Sequence, residues 1–173
     1  MRNLHAIASE LDRLAAYRTG WDRHVPRISA WSVAEQIDHG VSTTDAILTR
    51  ALTALATPCG VGITAIGRLC LFLGWIPRGR GQAPPQFMPR AVDAEALAGR
   101  LAALQRRVVA LIATGARPPD DGARFAHPVF GGLTRRQWLR FAAVHLRHHR
   151  LIVDDIGRAS QVAPAAPLPA RRG

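Results

Sequence analysis

Two histidines near the C-terminal end of the chain have the spacing of a metal-binding pair. His145 and His149 lie four residues apart within the segment HPVFGGLTRRQWLRFAAVHLRHHRLIVDDI, which runs from His127 to Ile156. Thr134 and Gln137 form the S/T-x-x-E/Q pattern of a capping box, so a helix is predicted to begin at Thr134. Imidazoles at positions i and i+4 point the same way and can hold one ion. On an apolar face they could equally be core histidines, and only a third ligand would decide.

Three more long helices are predicted upstream. Each has apolar residues recurring at three- and four-residue steps, the pattern of a helix with one buried face. They run from about Asn3 to Gly20, from Ser32 to Pro58, and from about Asp93 to Thr114. The second begins with another capping box, Ser32 to Glu35. No stretch alternates apolar and polar residues, so no strand is predicted, and the four helices indicate an all-α four-helix bundle.

The connections between the helices differ in character. Val61 to Ile76 is apolar but shorter than the roughly 20 residues of a membrane span, and we expect an extra helical segment there, buried, with peripheral membrane contact as the alternative. Pro77 to Pro89 is rich in Pro, Gly and Arg, and such a long loop often covers a site. The last helix is expected to end near Gly157. Residues 1–157 would then form one domain, and residues 158–173 a Pro/Ala-rich, disordered tail.

Composition narrows the classes of function. A chain of 173 residues with 48% hydrophobic content is typical of one globular domain. The net charge of +11 is typical of nucleic-acid binders. Every one of the 23 basic residues is arginine, however, and they are scattered. This pattern indicates a solvated basic surface. Nucleic-acid binding is therefore only a distant third hypothesis, after the two given below.

Two cysteines, Cys59 and Cys70, form neither a disulfide framework nor a CxxC pattern. The first residues of the chain carry charges throughout and lack the apolar core of a signal peptide. We therefore expect a cytoplasmic protein without a transmembrane segment.

Several of these motifs together resemble the DinB/YfiT-like superfamily of metalloenzymes. They are Trp31-Ser32 opening a helix that holds His39, then HPVFGGLTRRQW (His127 to Trp138) leading into HLRHH (His145 to His149). The resemblance covers about Arg2 to Gly157 and looks closest to a branch known mainly as a domain of unknown function. It implies an up-up-down-down bundle of four helices.

The resemblance also implies a metal site, with one histidine from the second helix and two from the fourth. Carried onto this chain, the ligands are His39, His145 and His149. Three neutral imidazoles would leave coordination positions open, which is typical of a catalytic metal. Imidazole suits Zn²⁺, Ni²⁺ and Fe²⁺, and the sequence does not distinguish among these divalent ions. Gly40 and Ser42, beside His39, would leave room for a pocket or allow two helices to pack closely.

Other residues could surround such a site. A ligating histidine usually donates its second N–H to a carboxylate or carbonyl, and four aspartates lie on the same two helices: Asp38, Asp45, Asp154 and Asp155. His148 is interpreted as a rim residue and His127 as a structural, helix-capping or pocket-wall group. If the ligands meet at one level, Trp31 and the loop from His24 to Ala30 should lie nearby, and the loop from Pro77 to Pro89 could reach it. The arginines of that loop region would then bind an anionic substrate, or they are solvated loop charges: Arg78, Arg80 and Arg90.

These observations lead to two main hypotheses about function. The first is a metal-dependent enzyme that acts on a small molecule, by transfer of a low-molecular-weight thiol or by hydrolysis with metal-bound hydroxide. Thiol-dependent S-transferases and a mycothiol-dependent isomerase are activities that the resemblance implies. The alternative is a helical-bundle binding or stress-response module without catalytic activity. A homodimer is open under both hypotheses.

Overall fold

Four long helices form the predicted bundle. The computed structural model describes residues 1–17, 19–53, 58–79, 83–89 and 93–161. The long helices are α1 (Arg2–Ala15), α2 (Val33–Leu52), α4 (Ala94–Ala113) and α5 (Arg135–Gln161), with a short α3 (Ala65–Leu73) between the second and the third. α1 and α2 each pack against both α4 and α5. The core between them is largely leucine and isoleucine, including Leu4, Ile7, Leu11, Ile37, Leu48, Leu97, Leu146 and Ile156.

Local capping fixes where α2 and α5 begin, as predicted. The Ser32 amide donates to Glu35 Oε2 at 2.7 Å, and the Glu35 amide donates to Ser32 Oγ at 3.3 Å. At α5 the Thr134 amide donates to Gln137 Oε1 at 2.9 Å, and the Gln137 amide donates to Thr134 Oγ1 at 3.3 Å. Each box satisfies two amides that would otherwise lack partners.

Three predicted helix ends were wrong. α2 was expected to reach Pro58, but it ends at Leu52, and the backbone of the next residue, Thr53, is extended. α1 ends at Ala15, and Gly20 lies beyond it in a turn with φ of 71°. α5 continues past Gly157 to Gln161. A glycine costs only about 1 kcal/mol inside a helix, and here the backbone of Gly157 packs beside the Tyr17 ring. Arg18 of the first predicted helix, Leu55 of the second and the tail from residue 162 onward lie outside the described residues.

A small hairpin, β1 (Arg124–His127) and β2 (Gly131–Thr134), precedes α5, although no strand was predicted. The strands pair antiparallel, with Arg124 opposite Thr134 and His127 opposite Gly131. Four-residue strands are too short to show alternation, and two of these positions are glycine, a poor strand former. The glycines are needed because residues 61–63 lie directly against them: the Gly132 amide donates to Gly62 O at 3.0 Å.

Gly132→Ala is expected to destabilise the fold by about 1–3 kcal/mol. A Cβ at this position would lie 2.0 Å from the Val61 carbonyl oxygen, so backbone must move. Gly99→Ala is the control, since that position has open space around it and alanine favours a helix by up to about 1 kcal/mol. Urea unfolding of both variants measures the difference. Equal stability of the two variants would show that residues 61–63 do not pack on the hairpin in solution.

The short helix α3 also departs from the sequence prediction. It was expected to be buried, but only Gly67, Cys70 and Leu71 are. Apart from Arg68 the helix is apolar all round, and it meets the bundle along one side, so the rest of its surface stays exposed. Across the part of the chain that the structure describes, no helix combines the length and apolar character needed to cross a bilayer.

Candidate metal centre

The three histidines named from the sequence meet where α2 packs against α5. His39 lies on α2, and His145 and His149 lie one turn apart on α5. Gly40 allows the approach, because a Cβ there would lie only 3.1 Å from Leu146 Cδ1. The small residues beside His39 had two possible roles, and Gly40 has the second of them, since it allows the two helices to pack closely.

The ring nitrogens of this triad converge. The distance from His145 Nε2 to His39 Nε2 is 3.2 Å, and to His149 Nε2 it is 3.1 Å. Nitrogen atoms that bind one ion at about 2.0–2.1 Å lie roughly 3–3.4 Å apart. The spacing of the triad therefore fits a single ion, and no other such group of three is found among the described residues.

Hydrogen bonds orient two of the rings. His39 Nδ1 donates to the Phe87 carbonyl oxygen at 2.6 Å, and His149 Nδ1 donates to Gln36 Oε1 at 2.5 Å. Gln36 is held in turn, because its Nε2 donates to Ser29 Oγ at 2.7 Å. With a proton on Nδ1, each neutral ring turns the lone pair of Nε2 toward His145.

No placement of protons on His145 satisfies all the ring nitrogens of the triad. Its Nδ1 is buried and has no hydrogen-bond partner among the described residues. A proton on Nδ1 would leave that donor unpaired and bring three lone pairs together. A proton on Nε2 could serve only one of the two neighbouring nitrogens. A cation at the convergence point satisfies all three, so the donor set fits a metal.

Electrostatics keep the three rings neutral. Burial lowers the pKa of His39, and its hydrogen bond to Phe87 opposes this shift. The pKa values of His145 and His149 lie well below the usual 6.5, first because of burial and then because of repulsion from neighbouring imidazoles. Neutral imidazole is the form that binds metal, so the site is in its binding form at pH 7.

The other two candidate histidines do not join the cluster. His127 Nδ1 accepts the amides of Val129 and Phe130, both at 3.1 Å, so it is a structural group that stabilises the hairpin turn. His148 Nδ1 donates to the Ile76 carbonyl oxygen at 3.1 Å. It holds the chain after α3 against α5 beside the triad, consistent with a rim residue.

The aspartates proposed as partners of the histidines form ion pairs with arginines. Asp38 pairs with Arg100, Asp45 with Arg107, Asp154 with Arg150, and Asp155 with Arg78 and Arg158. Sequence reasoning missed the groups that orient the rings, Gln36 and the Phe87 carbonyl. Gln36 is a polar residue one turn before His39 on a mostly apolar stripe, which was a usable indication. Every residue has a backbone carbonyl, so the sequence could not indicate which one accepts this hydrogen bond.

Both loops named as possible walls of the site reach it. The Trp31 ring lies 5.1 Å from that of His39 and 6.3 Å from that of His149, measured between centroids. Ser29 contributes from the preceding loop and Phe87 from the later one. His39 and His149 are buried, and His145 is half-buried. Three arginines of the later loop region were considered as binders of an anionic substrate. Arg78 forms an ion pair with Asp155 at 2.7 Å, and Arg80 and Arg90 lie outside the described residues.

We expect the metal-free protein to lose stability below about pH 6.5. Burial lowers the pKa of His127 and of His148 to about 4, against about 6.5 in an unfolded chain. Between these values the unfolded state binds more protons, so stability is full above 6.5 and falls as the pH drops. Each histidine removes up to about 1.4 kcal/mol per pH unit. Urea unfolding in chelator from about pH 7.5 to 4.5 measures this; a constant free energy of unfolding would contradict it.

A comparison with models of protein families identifies one family that matches the chain. Residues 4–153 match a family model described as the DinB superfamily, a range that contains the triad, the hairpin and most of α5. Neither the curated proteins nor the solved structures yielded a match.

Proposed function

Because the chain belongs to the DinB superfamily, we propose that it is a metal-dependent enzyme acting on a small molecule. His39, His145 and His149 would hold one divalent ion. The observation that carries this proposal is the convergence of three Nε2 atoms, two of them oriented by hydrogen bonds on the opposite ring nitrogen. Such support is typical of histidines that bind metal.

Each part of the chain around the triad has a distinct task. The two ring-orienting hydrogen bonds keep the donor atoms in place before any ion arrives, which lowers the ordering cost of binding. Trp31 covers one side of the triad with an apolar ring. We place the approach of a substrate at His145, the half-buried member of the triad. When bound, a divalent ion would supply a Lewis acid that stabilises negative charge on the substrate.

We infer that the reaction is transfer of a low-molecular-weight thiol, with hydrolysis as the second candidate. The thiol loses its proton to solvent, the thiolate sulfur forms a bond to an electrophilic carbon, and the leaving group departs with the bonding electron pair. A site of three neutral imidazoles adds no negative charge of its own, which favours an anionic thiolate over a neutral thiol. The family resemblance supports the choice of thiol over water.

Elemental analysis of protein purified without a histidine tag tests the metal, and a paired assay tests the reaction. We expect close to one zinc, nickel or iron ion per chain. Metal-loaded protein should couple a cysteine-based thiol to an activated aryl halide and lose this activity with chelator. Turnover of a chromogenic ester without thiol would instead support hydrolysis. Metal-loaded protein that turns over neither substrate would support the binding-module hypothesis.

Gln36→Leu is expected to weaken metal binding about 10- to 100-fold. His149 would lose the acceptor for its Nδ1 proton, so its ring would no longer be held in the binding orientation. Gln36→Glu keeps an acceptor oxygen in the same place and should retain the affinity. Competition with a chromophoric chelator measures both. An equal loss in the two variants would show that Gln36 acts through packing and not through this hydrogen bond.

A further inference from the structure

α3 carries two apolar faces, and the bundle covers only one. Gly67, Cys70 and Leu71 face the protein. On the other side Ile66, Leu69, Phe72 and Leu73 are exposed, followed by Trp75 just after the helix. Phe72 is 84% exposed, the largest exposed fraction among the large hydrophobic side chains described. We call these five exposed residues the α3 patch.

The α3 patch is contiguous and not a scatter of single residues. At about 100° per residue, the four helical members of the patch lie within an arc of roughly 120°, opposite the buried side. A contiguous exposed apolar patch marks a surface that binds a partner or a membrane. The charges around the patch indicate which of these it binds.

Three arginines at the edges of the patch keep their positive charge. Arg68 is exposed at one edge of the arc. Arg140 Nε donates to the Leu71 carbonyl oxygen and Arg147 Nη1 to that of Gly74, both at 3.1 Å. A carbonyl does not neutralise a guanidinium, and among the described residues none of the three arginines forms an ion pair with a carboxylate.

The chain around α3 is basic and has no acidic residue. Residues 46–92 include α3, and residues 122–153 include the hairpin and the part of α5 that holds the end of α3; all 12 acidic residues of the protein lie outside these two ranges. The hairpin turn lies at the start of α3, because the Thr64 amide donates to the Phe130 carbonyl oxygen at 2.9 Å. An apolar centre with positive charge at its edges is complementary to an anionic surface. A second copy would bring the same arginines together.

An anionic bilayer fits this surface better than an acidic protein or a nucleic acid does. Protein interfaces carry about one hydrogen bond per 100–200 Å², and residues 65–76 have no amide, hydroxyl or carboxylate side chain to form them. A bilayer needs none at the centre, because apolar side chains enter the acyl boundary while lipid phosphates bind the arginines at the edge. A nucleic acid would leave the aliphatic centre of the patch in water.

We propose that the α3 patch binds the surface of an anionic membrane. α3 is roughly 13 Å long and lies in the plane of the interface without crossing the bilayer. The four helical members of the patch lie below the headgroups, and Trp75 lies at the boundary, where tryptophan is enriched. Arg68 and Arg147 extend to the level of the phosphates. This binding goes beyond the proposed enzyme function and does not depend on a bound metal, because the triad is not part of the patch.

Sedimentation with sucrose-loaded vesicles tests the proposal on the full chain. The protein should sediment with vesicles that mix phosphatidylglycerol with phosphatidylcholine and stay in solution with phosphatidylcholine alone. Raising the salt concentration from about 0.1 to 0.5 M should weaken binding, because salt screens the arginines. Chelator should have no effect. Equal binding to the two kinds of vesicle, or binding to neither, would overturn the proposal.

Variants with matched controls locate the binding surface. Phe72→Ser should weaken vesicle binding about 10-fold or more, whereas Phe72→Leu keeps an apolar side chain and should stay within a few-fold of wild type. Val109→Ser, which replaces an exposed apolar residue on α4, should also bind as wild type does. Arg68→Gln should weaken binding about 5-fold, and Arg106→Gln, which removes an exposed arginine from α4, should weaken it less. All these side chains but the Phe72→Leu site itself are changed without an apolar replacement, so circular dichroism checks that each variant keeps its helices. A Phe72→Ser variant that binds as tightly as wild type contradicts the proposal.

Light scattering without vesicles separates a lipid surface from a protein partner. We expect the wild type and Phe72→Ser to have the same mass. A wild-type dimer that Phe72→Ser converts to the 18.7 kDa monomer would overturn the proposal and assign the patch to a second copy. Equal masses together with no binding to either kind of vesicle would overturn it as well, and would leave an acidic protein as the occupant of the patch.

Discussion

His145→Ala is expected to lower the affinity for a divalent metal about 100- to 1000-fold. His145 is the central member of the triad, since its Nε2 lies 3.2 Å from that of His39 and 3.1 Å from that of His149. Four-ligand zinc sites bind with about 10–16 kcal/mol, so one ligand contributes roughly 3–4 kcal/mol. Titration calorimetry or chelator competition measures the change.

His148→Ala is the matched control for that experiment. It removes a histidine from the same helix, three residues away, whose Nδ1 donates to the Ile76 carbonyl. Its ring packs against that of His149, but it is not one of the three histidines whose nitrogens converge. The affinity of this variant should stay within a few-fold of wild type. The metal-free His145→Ala protein should also remain folded, because the variant removes a buried nitrogen that lacks a partner. If both variants lost metal equally, the effect would come from disturbance of α5 and the triad would not be the binding site.

Arg150→Met is expected to destabilise the fold by about 3–5 kcal/mol. Arg150 is buried and pairs with Glu10 on α1 and with Asp154 on its own helix. Asp154 also accepts the hydroxyl of Tyr17 at 2.5 Å. Without the guanidinium, two carboxylates in this network lose their counterion. For a domain of this size the loss corresponds to a fall in melting temperature of roughly 6–20 °C.

Two further variants separate this network from ordinary surface charge. Arg136→Met removes an ion pair with Asp120 in which both side chains are mostly exposed, and should change stability by less than about 1 kcal/mol. The double variant Glu10→Leu with Arg150→Met removes one of the stranded carboxylates and should recover part of the loss. A single Arg150→Met variant as stable as Arg136→Met would show that the buried pairs contribute nothing net.

The parts of the fold that the sequence predicted are those set by neighbouring residues. Ser32 with Glu35 and Thr134 with Gln137 fix helix starts through contacts that span three residues, so they can be recognised without a structure. Where helices end was less predictable. α5 passes Gly157 and continues to Gln161, and Tyr17, which lies beside that glycine, is far away in the chain, so no local pattern could show that the helix is packed there.

The metal site also combines features that follow from neighbouring residues with features that depend on the fold. The pairing of His145 with His149 follows from one helical turn, whereas His39 lies more than 100 residues earlier and was assigned through the family resemblance. Its approach depends on Gly40 and on how α2 packs against α5. The hairpin and the exposed side of α3 were missed for a similar reason, since Gly132 meets Val61 only in the folded chain and no local pattern states which face of α3 the bundle covers.

The hydrogen bond that orients His39 is accepted by a backbone atom, so it does not depend on which amino acid stands at that position. His39 is held by the carbonyl oxygen of Phe87, in a short 3-10 turn (Pro85–Phe87) closed by a 2.8 Å hydrogen bond from the Phe87 amide to the Pro84 carbonyl. Every amino acid carries that oxygen. The side chain at position 87 can therefore be exchanged to alter what lies beside the triad while the histidine keeps its tautomer. An insertion or deletion in the same loop would move the oxygen itself, so the length of the loop is constrained while the residue type at position 87 is free to vary.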